Sequence, residues 1–363
     1  MRKLKGNWTD IFNGFSVALD IKKMFVGFIG LFLTMVILGL IPVLVADYIN
    51  PAIKEISNPG EHYKSAVNTI KAGAPWKVSL FIAGIYLLLI LVWSYLGGII
   101  SRIAAVNITK DEGLDLRKAI SFANQKYISL FSPFVLSILG FLFFLVCNLL
   151  GGLVGRVPYV GELLVALLLP LAIISGFIMV FIIIGYALSA RFFISTIAVE
   201  SSDAFDAVSR SFQYLYAEPW HYIWYVLVAK VYGIITTAFV WLFGGMMISI
   251  SLATVKLGMG LKLHDIMSLT GLPCNMTPSI GPMPATYHIA AYIIMVWLVL
   301  IVGMLLAYVV SYCFSAHTII YLLMRKKVDD IEMTELYEEE PSGDLTAVPE
   351  APKTDNPATP SST

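Results

Sequence analysis

The sequence predicts an all-α, polytopic integral membrane protein with six transmembrane helices in three hairpins. Hydrophobic residues make up 58% of the 363 residues and charged residues only 13%, and the mean hydropathy is +0.81. Soluble domains carry about 25% charged residues, so this composition excludes an ordinary water-soluble fold. The second observation is six apolar runs, each at least as long as the ~20 residues that a helix needs to cross a ~30 Å hydrocarbon core.

Polar segments that contain proline and glycine separate the six predicted spans. The spans cover, in chain order, residues 24–46, 76–100, 128–154, 162–190, 221–255 and 288–324. The fifth and sixth runs exceed the length that crossing requires, so these helices are expected to tilt, kink or protrude. The first run is too long for the core of a cleavable signal peptide, which predicts that it is retained as a span.

A short amphipathic helix between the fourth and fifth spans organises the rest of the chain. Its apolar residues recur at helical spacing on one face: Phe205, Val208, Phe212 and Leu215. Ser201 or Ser202 is the expected N-cap, and Asp203 and Asp206 fall in the first turn, where carboxylates favour the helix dipole. A proline and an aromatic cluster follow, as is typical where a helix enters a bilayer. This segment therefore predicts an elbow helix on the membrane surface.

Two further amphipathic segments, near residues 10–19 and 111–123, have the same phase of acidic and apolar positions. Each of the three elbow helices precedes two spans, so the chain divides into possible repeat units over residues 1–108, 109–198 and 199–327. The alternative is that connectors in a hairpin-built membrane protein are amphipathic without being repeats. Both interpretations predict three interfacial helices on one side of the membrane.

Basic residues predict the orientation. About two-thirds of the 24 Lys and Arg residues fall in the termini and in the segments that carry the elbow helices. The positive-inside rule therefore predicts that both termini and all three elbow helices are cytoplasmic. The membrane domain is expected to cover residues 1–327, and the acidic, then Pro/Thr/Ser-rich residues 328–363 are expected to form a disordered cytoplasmic tail.

The segment after the fourth span also carries a distinctive run of residues. It reads Ala198-Val199-Glu200, then Asp203-Ala204, then Ala207-Val208-Ser209-Arg210-Ser211-Phe212. This pattern resembles one in bacterial multi-pass membrane proteins of unassigned function, related to the membrane domain of some glycerophosphodiester phosphodiesterases. The resemblance implies a protein of the bacterial cytoplasmic membrane. No catalytic barrel with metal-binding Glu and His is expected after the sixth span, so the phosphodiesterase activity does not carry over.

Lys230 is the one formal charge well inside a predicted span, roughly 15 Å along the helix from Pro219. An intramembrane lysine is expected to face a bundle interior or a cavity, and no Asp or Glu lies at the middle of a span to pair with it. The alternative is snorkelling, in which the long side chain carries the ammonium back towards the cytoplasm near Glu218. Both interpretations stay open on the sequence alone.

Arg191 ends the fourth span close in sequence to Glu200, Asp203 and Asp206, and Arg210 follows on the polar face of the next helix. This set indicates either a site for a lipid phosphate or anionic solute on the cytoplasmic side, or an interfacial arginine paired with local carboxylates. The second interpretation is preferred.

No cofactor or metal is expected. The three cysteines offer neither a CxxC pair nor a disulfide framework, and the five histidines lack the repeated spacing of a haem site. No nucleophile motif, phosphate-binding loop or HExxH motif occurs in the sequence, and no basic tract indicates nucleic acid. The recurrent glycines of the spans indicate close helix packing.

These observations predict a non-enzymatic scaffold or accessory subunit of the bacterial cytoplasmic membrane. Its expected partners are the lipid bilayer and other membrane proteins, met through the outer loops at residues 47–75 and 256–287 or through the C-terminal tail. The alternative is a transporter or lipid-handling protein with a polar pathway near Lys230, between the last three spans. A membrane enzyme or electron carrier is the third class. A polar cavity reaching the middle of the membrane would favour the transporter class, and tightly packed apolar helices would favour the scaffold.

Overall fold

The structure is a computed structural model that describes residues 4–56, 58–270 and 284–337. In these ranges the chain is helical, without strands, and six helices are long and apolar enough to cross a membrane. They are α2 (Ile21–Ile49), α4 (Pro75–Lys110), α6 (Tyr127–Val154), α7 (Val160–Glu200), α9 (Pro219–Met259) and α11 (Ala285–Asp329). The prediction of an all-α chain with six helices able to span a membrane is confirmed.

Five shorter helices connect the long ones in the described part of the chain. They are α1 (Gly14–Ala18), α3 (Pro59–Lys71), α5 (Leu116–Gln125), α8 (Ala204–Ala217) and α10 (Leu261–Ser268), with 3-10 segments at Trp8–Asn13 and Pro51–Glu55. Helices α1, α5 and α8 coincide with the predicted amphipathic segments. Helices α3 and α10 lie in the two polar segments predicted as outer loops, so both of these segments are partly helical. Residues 271–283 of the second one lie outside the described residues.

The buried core lies at one end of the bundle, where α4, α7 and α11 finish; this end is called the core end below. The three helices contact one another there. Their C-terminal parts contribute several of the large side chains that are most completely buried: Ile100, Ile103, Phe192, Ile197, Ile319 and Tyr321. Towards the other end, called the far end, the long helices expose most of their apolar side chains, as helices do when lipid takes the place of protein around them.

The contacts at the core end follow a repeated plan. Each long helix that starts there packs against the next one in the chain, in the pairs α2–α4, α6–α7 and α9–α11. Helix α5 lies against α4, α8 lies against α7, and α1, from the start of the chain, lies against α11. Helices α4, α7 and α11 also end alike, each followed by a residue with a left-handed backbone: Asp111, Ser201 and Asp330, with φ of 58°, 55° and 56°.

One contact expected from this repeated plan, between α9 and α7, is much smaller than its two counterparts. Helix α2 also packs on α11, and α6 also packs on α4, but α9 touches α7 only slightly in the described structure. The contact that does form is close to the core end. Tyr222 donates a hydrogen bond to the carbonyl oxygen of Leu188 at 2.5 Å, and its ring meets that of Phe192 edge-on at 5.1 Å between centroids. Beyond this contact a cavity separates the two helices.

The start of α8 differs from the prediction. Ser201 ends α7, and Asp203 is the N-cap of α8, where its carboxylate accepts a hydrogen bond from the amide of Asp206 at 2.9 Å. Of the predicted apolar face, Leu215 is buried and Val208 and Phe212 pack against the core, whereas Phe205 stays 71% exposed. The helix also buries the small residue Ser211, which allows close approach to α7, since the Ser211 hydroxyl lies 3.3 Å from that of Thr196.

The beginning of the predicted tail is ordered and packed. Helix α11 continues to Asp329, and residues 331–337, called the C-terminal strap, fold back over the core end. Met333 is only 1% exposed, the Tyr337 amide donates to the carbonyl of Val199 at 3.2 Å, and Arg102 donates to the carbonyl of Tyr337 at 3.0 Å. The sequence analysis predicted a disordered tail here because the segment is acidic, and composition does not show which of its residues are anchored to the core. The rest of the predicted tail, residues 338–363, lies outside the described residues.

Candidate functional site

A cavity of about 610 Å³ lies between α7, α9 and α11, at the place where α9 leaves α7. It extends along α9 from Val226 to Ala238 and along α11 from Val309 to Ile320. At 1.5 Å per helical residue, these stretches are about 16–18 Å long. The cavity is therefore an elongated space parallel to the helices, running from near the core end towards the middle of the bundle.

Three nitrogen-bearing side chains from three helices line this cavity: Arg191 of α7, Lys230 of α9 and His317 of α11. Among the described residues no carboxylate lines it. The positive charges of Arg191 and Lys230 are both near enough to His317 to act on it electrostatically. Neither forms an ion pair or a side-chain hydrogen bond within the described part of the chain. Two neighbouring cations without a counter-charge would be balanced by a bound anion.

The ring of His317 is oriented by the main chain. Its Nδ1 lies 2.6 Å from the carbonyl oxygen of Cys313, which can only accept, so Nδ1 carries a proton. The other nitrogen, Nε2, is left for a ligand. It accepts a hydrogen bond when the ring is neutral and donates one when the ring is protonated.

The three nitrogen-bearing side chains lie towards the core end of the cavity, and the rest of its wall is mostly apolar. Past Lys230, the wall from α9 consists of Gly233, Ile234, Thr237 and Ala238, and Val309 faces it from α11. From Lys230 to Ala238 this wall covers about 12 Å of helix. An amphiphile with an anionic head and an apolar tail has the same distribution of polarity.

Tyr312 and Gly233 set the spacing between α9 and α11 along the cavity. The Tyr312 hydroxyl donates to the carbonyl of Ala229 at 2.7 Å, and the ring packs against α9 at Gly233. A Cβ atom at Gly233 would come within 2.4 Å of that ring. Glycine is therefore required at this position if Tyr312 is to form one wall of the cavity.

No family model, curated protein or solved structure matches this chain. The functional argument therefore depends on the cavity itself. In the described residues no group of three His, Cys, Asp or Glu side chains could hold a metal ion.

The structure separates Arg191 from the carboxylates with which the sequence reading paired it. Arg191 precedes Glu200 by about 13 Å along α7, and its side chain lines the cavity. Glu200 and Asp206 both pair with Arg210 instead, at 2.8 Å and 2.9 Å, while Asp203 caps α8. The preferred interpretation of Arg191 is therefore wrong, because residues close in sequence diverge along a continuous helix.

Lys230 lines the cavity, which agrees with the first of its two interpretations. Glu218, the carboxylate considered for a snorkelling lysine, pairs with the neighbouring His221, whose Nδ1 lies 2.8 Å from Oε2. The sequence analysis missed His317, because it considered the histidines only as ligands of a haem site. Its signal was the spacing of Val309, Cys313 and His317, which places these residues on one stripe of α11.

A second polar cluster at the core end is structural. Glu200 accepts hydrogen bonds from the Tyr321 hydroxyl at 2.5 Å and from Arg210, and the Arg325 guanidinium lies 3.7 Å from the same carboxylate. Nearby, Tyr214 donates a hydrogen bond to Asp329. Burial first, and then this hydrogen bond, raise the pKa of the Tyr214 phenol, so it remains a donor at neutral pH. These contacts join α7, α8 and α11.

Proposed function

We propose that the chain is a non-enzymatic, six-span protein of the bacterial cytoplasmic membrane that binds an anionic amphiphile of the bilayer. The observation that carries this proposal is the meeting of Arg191, Lys230 and His317 in a cavity with an otherwise mostly apolar wall. The head of such a ligand would neutralise the cations, and its tail would cover the apolar wall. This function belongs to the lipid-handling class rather than to the scaffold class.

The packing of α9 supports the lipid-handling class over the scaffold class. A scaffold requires no internal space, and closing α9 onto α7 along its length would add van der Waals packing between the two helices. The chain instead keeps the two helices apart, and the positive charges of Lys230 and Arg191 line the gap between them. A scaffold role, in which the far-end segments at residues 47–75 and 256–287 bind other membrane proteins, remains a separate prediction.

We also propose that the core end is cytoplasmic, with α1, α5 and α8 as elbow helices between three transmembrane hairpins. The positive-inside rule supports this orientation, because the segments at the core end carry Arg102, Lys110, Lys118, Arg210 and Arg325. The cationic part of the cavity then lies close to the cytoplasmic layer of head groups. A green fluorescent protein fused after Thr363 is expected to fluoresce, whereas alkaline phosphatase at the same place is expected to be inactive. The reverse result would exclude this orientation.

Lipid analysis of the purified protein tests the binding function. The native chain, extracted with its surrounding bilayer in polymer nanodiscs, is expected to be enriched in an anionic lipid relative to the bulk membrane. The double variant Arg191→Met/Lys230→Met keeps side-chain volume but removes both charges, so it is expected to lose this enrichment. Lys256→Met, on the same helix but outside this cavity, is the matched control and is expected to keep it. Equal lipid composition in all three samples would contradict the proposal.

A further inference from the structure

The lining of the cavity also indicates which kind of anionic head group it would bind. Resting on the proposed function, we infer that its ligand is a lipid whose head is a phosphate monoester, in preference to lipids with a phosphodiester head. The inference is carried by the number of cations and by the identity of the third nitrogen.

The number of fixed charges favours a dianion. Arg191 and Lys230 supply two permanent positive charges, and no described residue of the lining supplies a negative one. A phosphate monoester carries about −1.5 to −2 charges at neutral pH, whereas a phosphodiester carries one. A monoester therefore balances both cations in a medium of low dielectric constant, and a phosphodiester leaves one of them without a counter-charge.

The third nitrogen also discriminates between the two heads. With Nδ1 protonated, the Nε2 of neutral His317 can only accept a hydrogen bond. A monoester in its singly protonated form has a P–OH that donates to Nε2, and in its dianionic form it accepts from the protonated ring. A phosphodiester has no P–OH, so it cannot donate to the neutral ring. A monoester also offers three terminal oxygens for the three nitrogen groups of the cavity, and a phosphodiester offers two.

Alkylation of Cys313 provides the test, because this residue lines the cavity and is exposed to it. The chain with Cys274→Ser is reconstituted in phosphatidylcholine vesicles that contain a tenth of phosphatidate, a tenth of phosphatidylglycerol, or neither. The rate of reaction with N-ethylmaleimide is followed by mass spectrometry of the peptides. Cys147, exposed on α6 and outside this cavity, is the internal control.

Phosphatidate is expected to slow the alkylation of Cys313 about tenfold while that of Cys147 is unchanged, and phosphatidylglycerol is expected to slow it far less. Lys230→Met is expected to abolish the difference between the two lipids, and Lys256→Met to preserve it. Equal protection by both lipids would overturn the head-group inference but keep the proposed function. Protection by neither would overturn both. Protection by soluble glycerol 3-phosphate as strong as that by phosphatidate would identify a free phosphate, rather than a lipid, as the ligand.

Discussion

Glu200 connects more elements of the core end than any other carboxylate described above. It accepts from Tyr321 and Arg210 and lies beside Arg325, and its side chain is only 11% exposed. The Arg325 side chain is 5% exposed, so its charge depends on this single buried partner and on carbonyl groups of the strap. Removing one partner of a buried pair leaves the other charge uncompensated, which costs about 3–5 kcal/mol.

The variant Glu200→Gln is therefore expected to lower the free energy of unfolding by about 3 kcal/mol, seen as a fall in the thermal midpoint of the protein in detergent. Asp206→Asn removes the other carboxylate of Arg210, which is 40% exposed and one helical turn away. It is expected to cost about 0.5 kcal/mol or less, as exposed pairs do. Equal effects of the two substitutions would show that burial does not set the strength of this network.

At the scale of residues, the sequence predicts which charges lack a partner better than it predicts which residues lie close together. It shows that Lys230 has no partner within a span, because no carboxylate occurs at the middle of any predicted span. It does not predict that Lys230 lies near Arg191 and His317. That meeting depends on how α7, α9 and α11 are rotated about their axes, and an apolar helix shows no hydrophobic stripe that would indicate its rotation.

The C-terminal strap is the element that the composition concealed. It is attached through Met333 in the core, through its own carbonyl groups that accept from Arg325 and Arg102, and through Tyr337 on α7. Because four acidic residues surround these anchors, the segment reads as a solvated tail. It nevertheless covers the ends of the central helices.

Truncation after Asp330 is expected to lower the thermal midpoint, because it exposes the apolar surface that covers Met333 and removes hydrogen-bond partners from the buried Arg325. Truncation after Tyr337 keeps the whole strap and is the matched control, with no expected change. Both proteins can be compared by intrinsic tryptophan fluorescence during heating. If the two truncations behave alike, the strap does not stabilise the core end.

At the scale of the whole molecule, the first helices of the chain close the bundle against the last. Helix α1 lies on α11, and α2 packs on α11 at Gly27, where a Cβ atom would be 3.4 Å from that of Val310. The repeated relation of a short helix to the end of a long one agrees with the three predicted units. That these units arose by triplication remains a prediction.

The double variant Gly27→Cys/Val310→Cys, in a chain with its native cysteines replaced by serine, is expected to form a disulfide on mild oxidation. The two Cβ atoms lie close to the separation of 3.5–4.5 Å that a disulfide needs. The product is read as faster migration in a denaturing gel. Gly39→Cys/Val310→Cys is the control and is expected to stay reduced, because nothing lies within 4 Å of a Cβ atom at Gly39. Cross-linking of both pairs alike would contradict the closure of α2 on α11.

Hydropathy alone predicted the six long helices, because the bilayer imposes a length on every span. It could not predict that α4 and α7 continue past the expected ends at residues 100 and 190, since those last turns are more polar yet buried against other helices. It also could not predict the gap between α7 and α9. That gap results from the packing of side chains such as Tyr222 and Tyr312, and the mean hydropathy of a segment does not show how its individual side chains pack.

The contact of α1 with α11 has a consequence for how the protein is made. Ile11 and Val17, both fully buried, pack in one cluster with side chains from the last turns of α11. The ribosome therefore exports the beginning of the polypeptide long before its packing partner has been synthesised. Until α11 has been synthesised, these residues lack the protein surface that covers them in the folded chain. The first helix thus reaches its final packing only after all six long helices have been made.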